Sequence, residues 1–338
     1  MSKKIAAFGE VMMRMQVPGY ELLSQANTLN YSFSGTGVNI AAALSHFGHS
    51  GYLVSALPSN AIGDAAVSYL RKLGVKTEFV QRSGNYIGIY FLENGFGIRT
   101  SRVTYTNRQE SSFNTAAQSV YPFEEIAKSV DLMHFCGITL SMNDQVRNQM
   151  KVLAKLVKEN GGLVVFDCNY RPSLWGENGY EKAKRHYEEM LGFADIVMMN
   201  EKDAMFVLGM KTGMIDRKEQ LIDLIPKVAD RFQVSLIAGT HRTIHDHQSH
   251  TLQGFMFKND DFTFSKIVSF PVLDRIGAGD AFTSGILHGE MGDFLPEQTV
   301  DFAVTAAVLA HTIVGDTPLS SEAEVIRAMN ENIGDIIR

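Results

Sequence analysis

The chain has 338 residues, a formal net charge of −6, 45% apolar residues and 20% charged ones. That length buries a substantial core, and the balance is that of a folded globular protein rather than a disordered one. No cluster of Lys and Arg offers the basic surface that nucleic acid or an anionic membrane requires, so neither is an expected partner; an anionic small molecule needs only a few local cations.

In chain order, "KIAAFG" reads as a first buried strand. Its apolar run breaks at Gly9-Glu10, too early for a signal peptide, and no stretch approaches the roughly 18 to 20 apolar residues of a membrane span. A cytoplasmic location is expected. Met12 to Phe33 shows no helical period. "VNIAAALSHFG" then reads as a helix closed by Gly48, "GYLVSAL" as a strand, and "AIGDAAVSYLRKLG" as a helix ended by Gly74. From Val80 to Phe113 the helical period is again absent, and "YIGIYFLENGFGIRTSRVTY" gives two β-rich runs around Asn94-Gly95, a hairpin signal. Strand and helix then alternate: "VDLMHFCG", the helix "NDQVRNQMKVLAKLVKENGG", and the strands "LVVFDCN", "ADIVMMN" and "VSLIAG" with helices between. Strands apolar on both faces and separated by helices imply a mostly parallel sheet covered on both sides. The expectation is a single α/β domain over 1–338, with insertions at about 12–33 and 80–113 forming a small β-sheet that acts as a lid or a dimer surface. Cys136 and Cys168 each end an apolar run at no metal or disulfide spacing, and read as buried free thiols.

The stretch "LDRIGAGDAF" carries the strongest chemical signal. A helix start leaves about four backbone amides without internal partners, and glycines let an anion approach them. Gly277-Ala278-Gly279 before "DAFTSGILHGEM" therefore describes an anion nest, with phosphate as the favoured guest. The plain alternative is a tight turn whose Asp280 complements the helix dipole, worth about 0.3–1 kcal/mol. A carboxylate beside a phosphate makes sense if it takes the proton of an attacking hydroxyl. The pattern is neither a dinucleotide fingerprint nor a Walker loop, which disfavours a nicotinamide dehydrogenase.

With these residues the chain resembles the ribokinase-like (PfkB) family of sugar kinases. "DRIGAGDAF" is similar to its C-terminal signature, and "SGTGVNIAAALSHFG" to its N-terminal one, with Ser34 in place of the first glycine. Within the family the resemblance is to the 2-keto-3-deoxygluconate kinases, through "GEVMMRMQVPG", "LPSNAIGDAAVSYLRKLGV", "GIYFLENG", "FDCNYRPSLW", "HTIVGDTPLSSEAEV" and Arg275 before the glycines. The resemblance implies a ribokinase-like three-layer α/β/α fold with a β-lid. It also implies transfer of the γ-phosphoryl group of ATP, with Mg²⁺, to a primary hydroxyl of 2-keto-3-deoxygluconate. The amides of Gly277, Ala278 and Gly279 would form the anion hole and Asp280 would be the base. Gly35 and Asn39 would touch sugar hydroxyls, and Tyr90 and Tyr105 would reach the substrate from the lid.

Arg171 lies just after "LVVFDC", at the strand end where open α/β sheets bind ligands, and Arg can grip a sugar-acid carboxylate bidentately. The plain reading is a surface Arg before Pro172. Arg108 would be a second cation, although "YTNRQESS" is one residue longer than the branch's Tyr-x-Arg. "NEKD" resembles the family's Asn-x-x-Glu, so Asn200 and Asp203 would hold Mg²⁺ and its waters; the same residues also suit a helix cap. Thr240 and Arg242 match a Thr-x-Arg on the nucleotide side, where the usual Lys-x-Gly-x-x-Gly is absent. His241, His245, His247 and His250 beside Asp246 suit either a solvated loop or a transition-metal site. Family lids often pair between subunits, which implies a homodimer. A neutral-sugar kinase of the fructokinase or ribokinase kind, and a non-catalytic sugar-acid sensor on the same fold, are the rival expectations.

Overall fold

Alternation along single strands builds the architecture. In β1 (Lys4–Phe8), Ile5 and Ala7 enter one apolar core while Ala6 and Phe8 enter the other, and all four are buried. Successive side chains of a strand point to opposite faces, so a strand buried on both reads as an unbroken apolar run. Each of the large buried rings, such as Phe8, Phe135 and Phe166, contributes about 1.5–3 kcal/mol by leaving water.

The computed structural model describes residues 2–245, 249–292 and 294–330. After β1 come β2 (Met12–Gln16), β3 (Asn30–Ser34), β4 (Ser50–Leu57), β5 (Val80–Arg82), β6 (Gly88–Glu93) and β7 (Arg102–Thr106). Then follow β8 (Leu132–Cys136), β9 (Leu163–Asp167), β10 (Ile196–Met198), β11 (Leu236–Ile244), β12 (Ser249–Lys258), β13 (Asp261–Phe264) and β14 (Val268–Pro271). The large sheet has 10 strands in the order β13-β12-β11-β10-β9-β8-β1-β4-β5, with β14 paired to β12. Its pairs from β5 across to β11 are parallel, and β12 pairs antiparallel with β11, β13 and β14. Helices Asp144–Glu159, Gly179–Leu191 and Arg217–Phe232 cover one face, and Thr36–His46, Ala278–Met291 and Pro296–Ala310 the other.

A separate 4-stranded sheet has the order β3-β2-β6-β7. β5 pairs with β4 and so belongs to the large sheet. The β6–β7 hairpin exists, with Glu93 opposite Arg102, but Asn94-Gly95 does not make a two-residue turn. Residues 94–101 form a longer loop, because Asn94 donates to the Gly19 carbonyl at 3.3 Å and Arg99 to the Tyr20 carbonyl at 2.6 Å. Those contacts with a distant segment outweigh the local turn preference. The stretch "GTHRTIHDHQSH" also departs from a loop: β11 runs on to Ile244 and returns as β12, with Ile244 opposite His250. Asp246 and His247 lie outside the described residues.

Both cysteines are buried free thiols, and burial raises their pKa. His134 on β8 is fully buried, and neither ring nitrogen has a partner among the described residues. Burial pushes its pKa down to about 3, so the unfolded chain binds a proton that the native state refuses between roughly pH 3 and pH 6.5. His134→Leu is expected to raise stability by about 1–3 kcal/mol by removing unpaired polar atoms. It should also flatten the loss of melting temperature below pH 6.5. Calorimetry at pH 5 and pH 8 measures both effects, and a lower melting temperature at both pH values would refute the expectation.

Candidate active site

From β1 the chain moves to β4 on one side and later returns to β8 on the other. Reversals of this kind open a crevice beyond the carboxyl ends of the strands. A cleft of about 1630 Å³ lies there, lined by Gly9 and Glu10 after β1, Asp167 at the end of β9 and the turn Gly277 to Asp280. The small sheet forms one wall, where Met12, Tyr90 and Leu92 pack against Ile276.

Helix Ala278–Met291 starts at this cleft, with Gly277 at φ 82°. A Cβ on Gly277 would lie 1.7 Å from the Asp316 carbonyl oxygen, so the turn admits only glycine. A Cβ on Gly279 would meet nothing within 4 Å beyond its own turn, so open space lies beside the first turn, whose amides have no partner within the helix. Asp280 is 8% exposed, and Asn39 donates to its carboxylate at 2.6 Å. Thr317 donates to the Asn39 carbonyl oxygen at 3.2 Å, which orients that amide. The two signature motifs thus meet in one hydrogen bond. Burial pushes the Asp280 pKa up to about 7, against the Asn39 bond and the charge of Arg171. Asp167 is pushed up to about 8, first by burial and then by the negative charge of Asp280. Two buried carboxyls in one field titrate as a pair. Nothing in the sequence beyond "FDCN" pointed to Asp167.

On the acceptor side, a Cβ on Gly35 would stand 2.2 Å from the Glu10 carbonyl oxygen. Ser34 lies 2.9 Å from the Tyr90 hydroxyl, which donates to Asp316. Asp316 pairs with Arg14, and Arg14 also reaches Asp274 at 3.2 Å and Gln16 at 2.7 Å. Arg14 is only 1% exposed. Such a buried network lowers its own desolvation cost only if its members are paired, and it fixes geometry more than it adds stability. Nothing in the sequence alone marks a role for Glu10, Arg14, Asp274 or Asp316, although each lies in a family-like segment.

Tyr105 stands opposite Tyr90 with ring centroids 6.1 Å apart, and both line the cleft. Arg108 also lines it, 4.9 Å from the Tyr105 ring centre. It is not a free cation, because its Nε donates to Glu10 at 2.8 Å and both side chains are nearly buried. The extra residue before Arg108 therefore does not turn it away from the cleft.

Arg171 is exposed on the cleft wall, and its one hydrogen bond among the described residues is a 3.4 Å contact to the Tyr170 carbonyl. The side chains of Asn200 and Asp203 both cap the backbone of their own turn: Asp203 accepts from the Asn200 amide at 2.9 Å and Asn200 from the Lys202 amide at 2.9 Å. Both also line the cleft, and burial pushes Asp203 up to about 6. On β11, Thr240, Arg242 and Ile244 line the cleft, whereas His241 turns away to Glu201 at 2.8 Å. Glu201 is fully buried and also pairs with Arg217. Among the described residues no group of three or more His, Cys, Asp or Glu is placed to hold a metal ion.

A model of the pfkB family of carbohydrate kinases matches residues 2–323. The chain belongs to that family. A carbohydrate kinase of the pfkB family takes a sugar acceptor and ATP with a divalent metal, and the large and small sheets described above suit that fold. A 2-dehydro-3-deoxygluconokinase of Thermotoga maritima has 31% identity and a TM-score of 0.93, covering 98% of this chain and 99% of that one. A 2-dehydro-3-deoxygalactonokinase of Haloferax volcanii is 25% identical over 97% of each chain. A 2-dehydro-3-deoxygluconokinase of Escherichia coli K12 is 28% identical over 85% of this chain and 88% of its own. No helix among the described residues of this pfkB kinase is long and apolar enough to cross a membrane.

Proposed function

We propose that this kinase transfers the γ-phosphoryl group of ATP to a primary hydroxyl of 2-keto-3-deoxygluconate. One observation carries the choice of an acid over a neutral sugar. Arg171 stands in the cleft with no ion pair among the described residues, its side chain reaching only the Tyr170 carbonyl, and a sugar acid supplies a carboxylate for it to grip. Three relatives whose names specify keto-deoxy sugar acids support the same choice.

In this reading Asp280 takes the proton of the attacking hydroxyl, held in place by Asn39. The open amides from Gly277 to Asp280 meet the charge on the transferred group. Arg171 fixes the acceptor's carboxylate, and Tyr90, Tyr105 and Gly35 shape the sugar side. The small sheet acts as a lid that keeps water from competing as acceptor. Asn200 and Asp203 suit Mg²⁺, which keeps several waters and phosphate oxygens and needs only one or two protein groups. The ion neutralises triphosphate charge when bound. Two chains pairing through the edge of β3 that has no partner strand among the described residues, where Tyr31 is 61% exposed, would give a homodimer.

ADP release across a panel tests the substrate. 2-Keto-3-deoxygluconate, its galactonate epimer, fructose and ribose are offered at equal concentration. Hydrogen bonds to a charged group are worth about 1.5–3 kcal/mol, so kcat/KM should favour the acids by about 10- to 100-fold. Equal or faster turnover of fructose would point to the neutral-sugar reading, and no turnover of any sugar to the sensor.

A further inference from the structure

Arg275 stands directly before the anion nest, yet its side chain has no part in the site built above. Its neighbours are all engaged. Asp274 accepts the Arg275 and Ile276 amides on one oxygen, at 2.7 and 3.2 Å, and Arg14 and the Gly315 amide on the other, both at 3.2 Å. Asp274 therefore has no remaining place for the Arg275 guanidinium. Ile276 packs against the small sheet, and Gly277 abuts Asp316. The Arg275 side chain is exposed on the cleft wall.

Arg242 lies on the same wall and is likewise without an ion pair among the described residues. Arg275 and Arg171 are near enough that their charges lower the Arg242 pKa. The fields also separate these arginines. Asp280, Asp167 and Asp203 feel Arg171, whereas His311 feels Arg242 and Arg275. Arg171 thus lies towards Asp280, Asp167 and Asp203, and Arg242 with Arg275 towards His311. Like charges converging without a counter-ion raise the energy of the empty site, and an anion bound between them removes that cost.

We propose that Arg275, together with Arg242, clamps the β- and γ-phosphates of the nucleotide donor and is a catalytic residue of the transfer. This rests on the kinase reading but not on the identity of the sugar. In the step, the acceptor oxygen forms a bond to the γ-phosphorus as the bond from that phosphorus to the β,γ-bridging oxygen breaks. The electron pair stays on the bridging oxygen of ADP, where the guanidinium meets it, and the hydroxyl proton passes to Asp280. A planar cation with several donors suits phosphate oxygens that gain charge in the transition state.

Two measurements test it. Inorganic tripolyphosphate, titrated into the protein by calorimetry without metal or sugar, should bind wild type at least tenfold more tightly than Arg275→Gln. In turnover, Arg275→Gln should lower kcat by about 10²-fold or more, as for other arginines that meet transferring phosphoryl groups. The KM of the sugar acceptor should stay within about twofold, since the lost contact is made to the donor. Added guanidinium ion should restore part of kcat, which a structural role would not allow. Arg275→Lys keeps the charge, so it should retain tripolyphosphate binding while losing most of kcat. Unchanged tripolyphosphate affinity in Arg275→Gln, or near wild-type kcat, overturns the proposal. Were no sugar acid phosphorylated while tripolyphosphate binding still depended on Arg275, the substrate reading would fail and the clamp would stand.

Discussion

Asp280→Asn is expected to lower kcat by about 10²- to 10⁴-fold, the range for loss of a positioned base. The substitution is nearly isosteric, and an Asn at 280 can still accept from Asn39 through its carbonyl, so the cleft should keep its shape and its ligands. The pH profile separates a lost base from a disturbed site. Burial holds Asp280 up at about 7, and the base acts only when ionised, so log kcat/KM in wild type should rise with pH through a limb near 7 and then level off. That limb should vanish in Asp280→Asn. Asp167→Asn should leave that limb near 7, because Asp167, held up at about 8, is still protonated when Asp280 ionises. Turnover of Asp280→Asn within a few-fold of wild type would remove the base assignment.

The same shifts bear on stability. Asp280 and Asp167 keep protons in the native state that the unfolded chain releases near pH 4, up to about pH 7 and 8 respectively. Between those limits the folded form binds more protons, so the ligand-free protein should lose stability as pH rises through that window.

Arg171→Ala is expected to lower kcat/KM for keto-deoxy sugar acids by roughly 10²-fold, the loss of charge-assisted bonds to a carboxylate. For fructose the loss should be under about tenfold, since a neutral sugar has no carboxylate to lose. Arg171 also lowers the pKa of Asp280, so its removal should move the base's limb to higher pH. The comparison is therefore made on the plateau above the limb, where Asp280 is ionised in both proteins. Equal losses for acids and neutral sugars there would end the carboxylate role and leave Arg171 as a general electrostatic element. Arg171→Lys should recover only part of the acid activity, because an ammonium lacks the planar fork of a guanidinium.

The sequence by itself determined the sheet and its two covering layers. Strand and helix periods are local, and each buried strand shows its state through residues next to one another, as Ile5 to Phe8 do. The nest was equally local, since Gly277, Gly279 and Asp280 lie within one turn. Contacts far apart in the chain were decided by tertiary structure. The bond between Asn39 and Asp280 spans 241 positions, and that between Arg14 and Asp274 spans 260; neither leaves a periodic trace. The loop at Asn94-Gly95 was set by the Gly19 and Tyr20 carbonyls rather than by its own turn residues.

Charge was the least legible property. Arg108 and Arg171 look alike as isolated arginines in motif-rich segments. Packing places Glu10 in an ion pair with Arg108 and, among the described residues, gives Arg171 none, and a guanidinium's chemistry depends on which partner the fold brings to it. Asp167 and Asp280 differ from ordinary surface aspartates for the same reason, because burial, and for Asp167 the charge of Asp280, are properties of the folded chain alone.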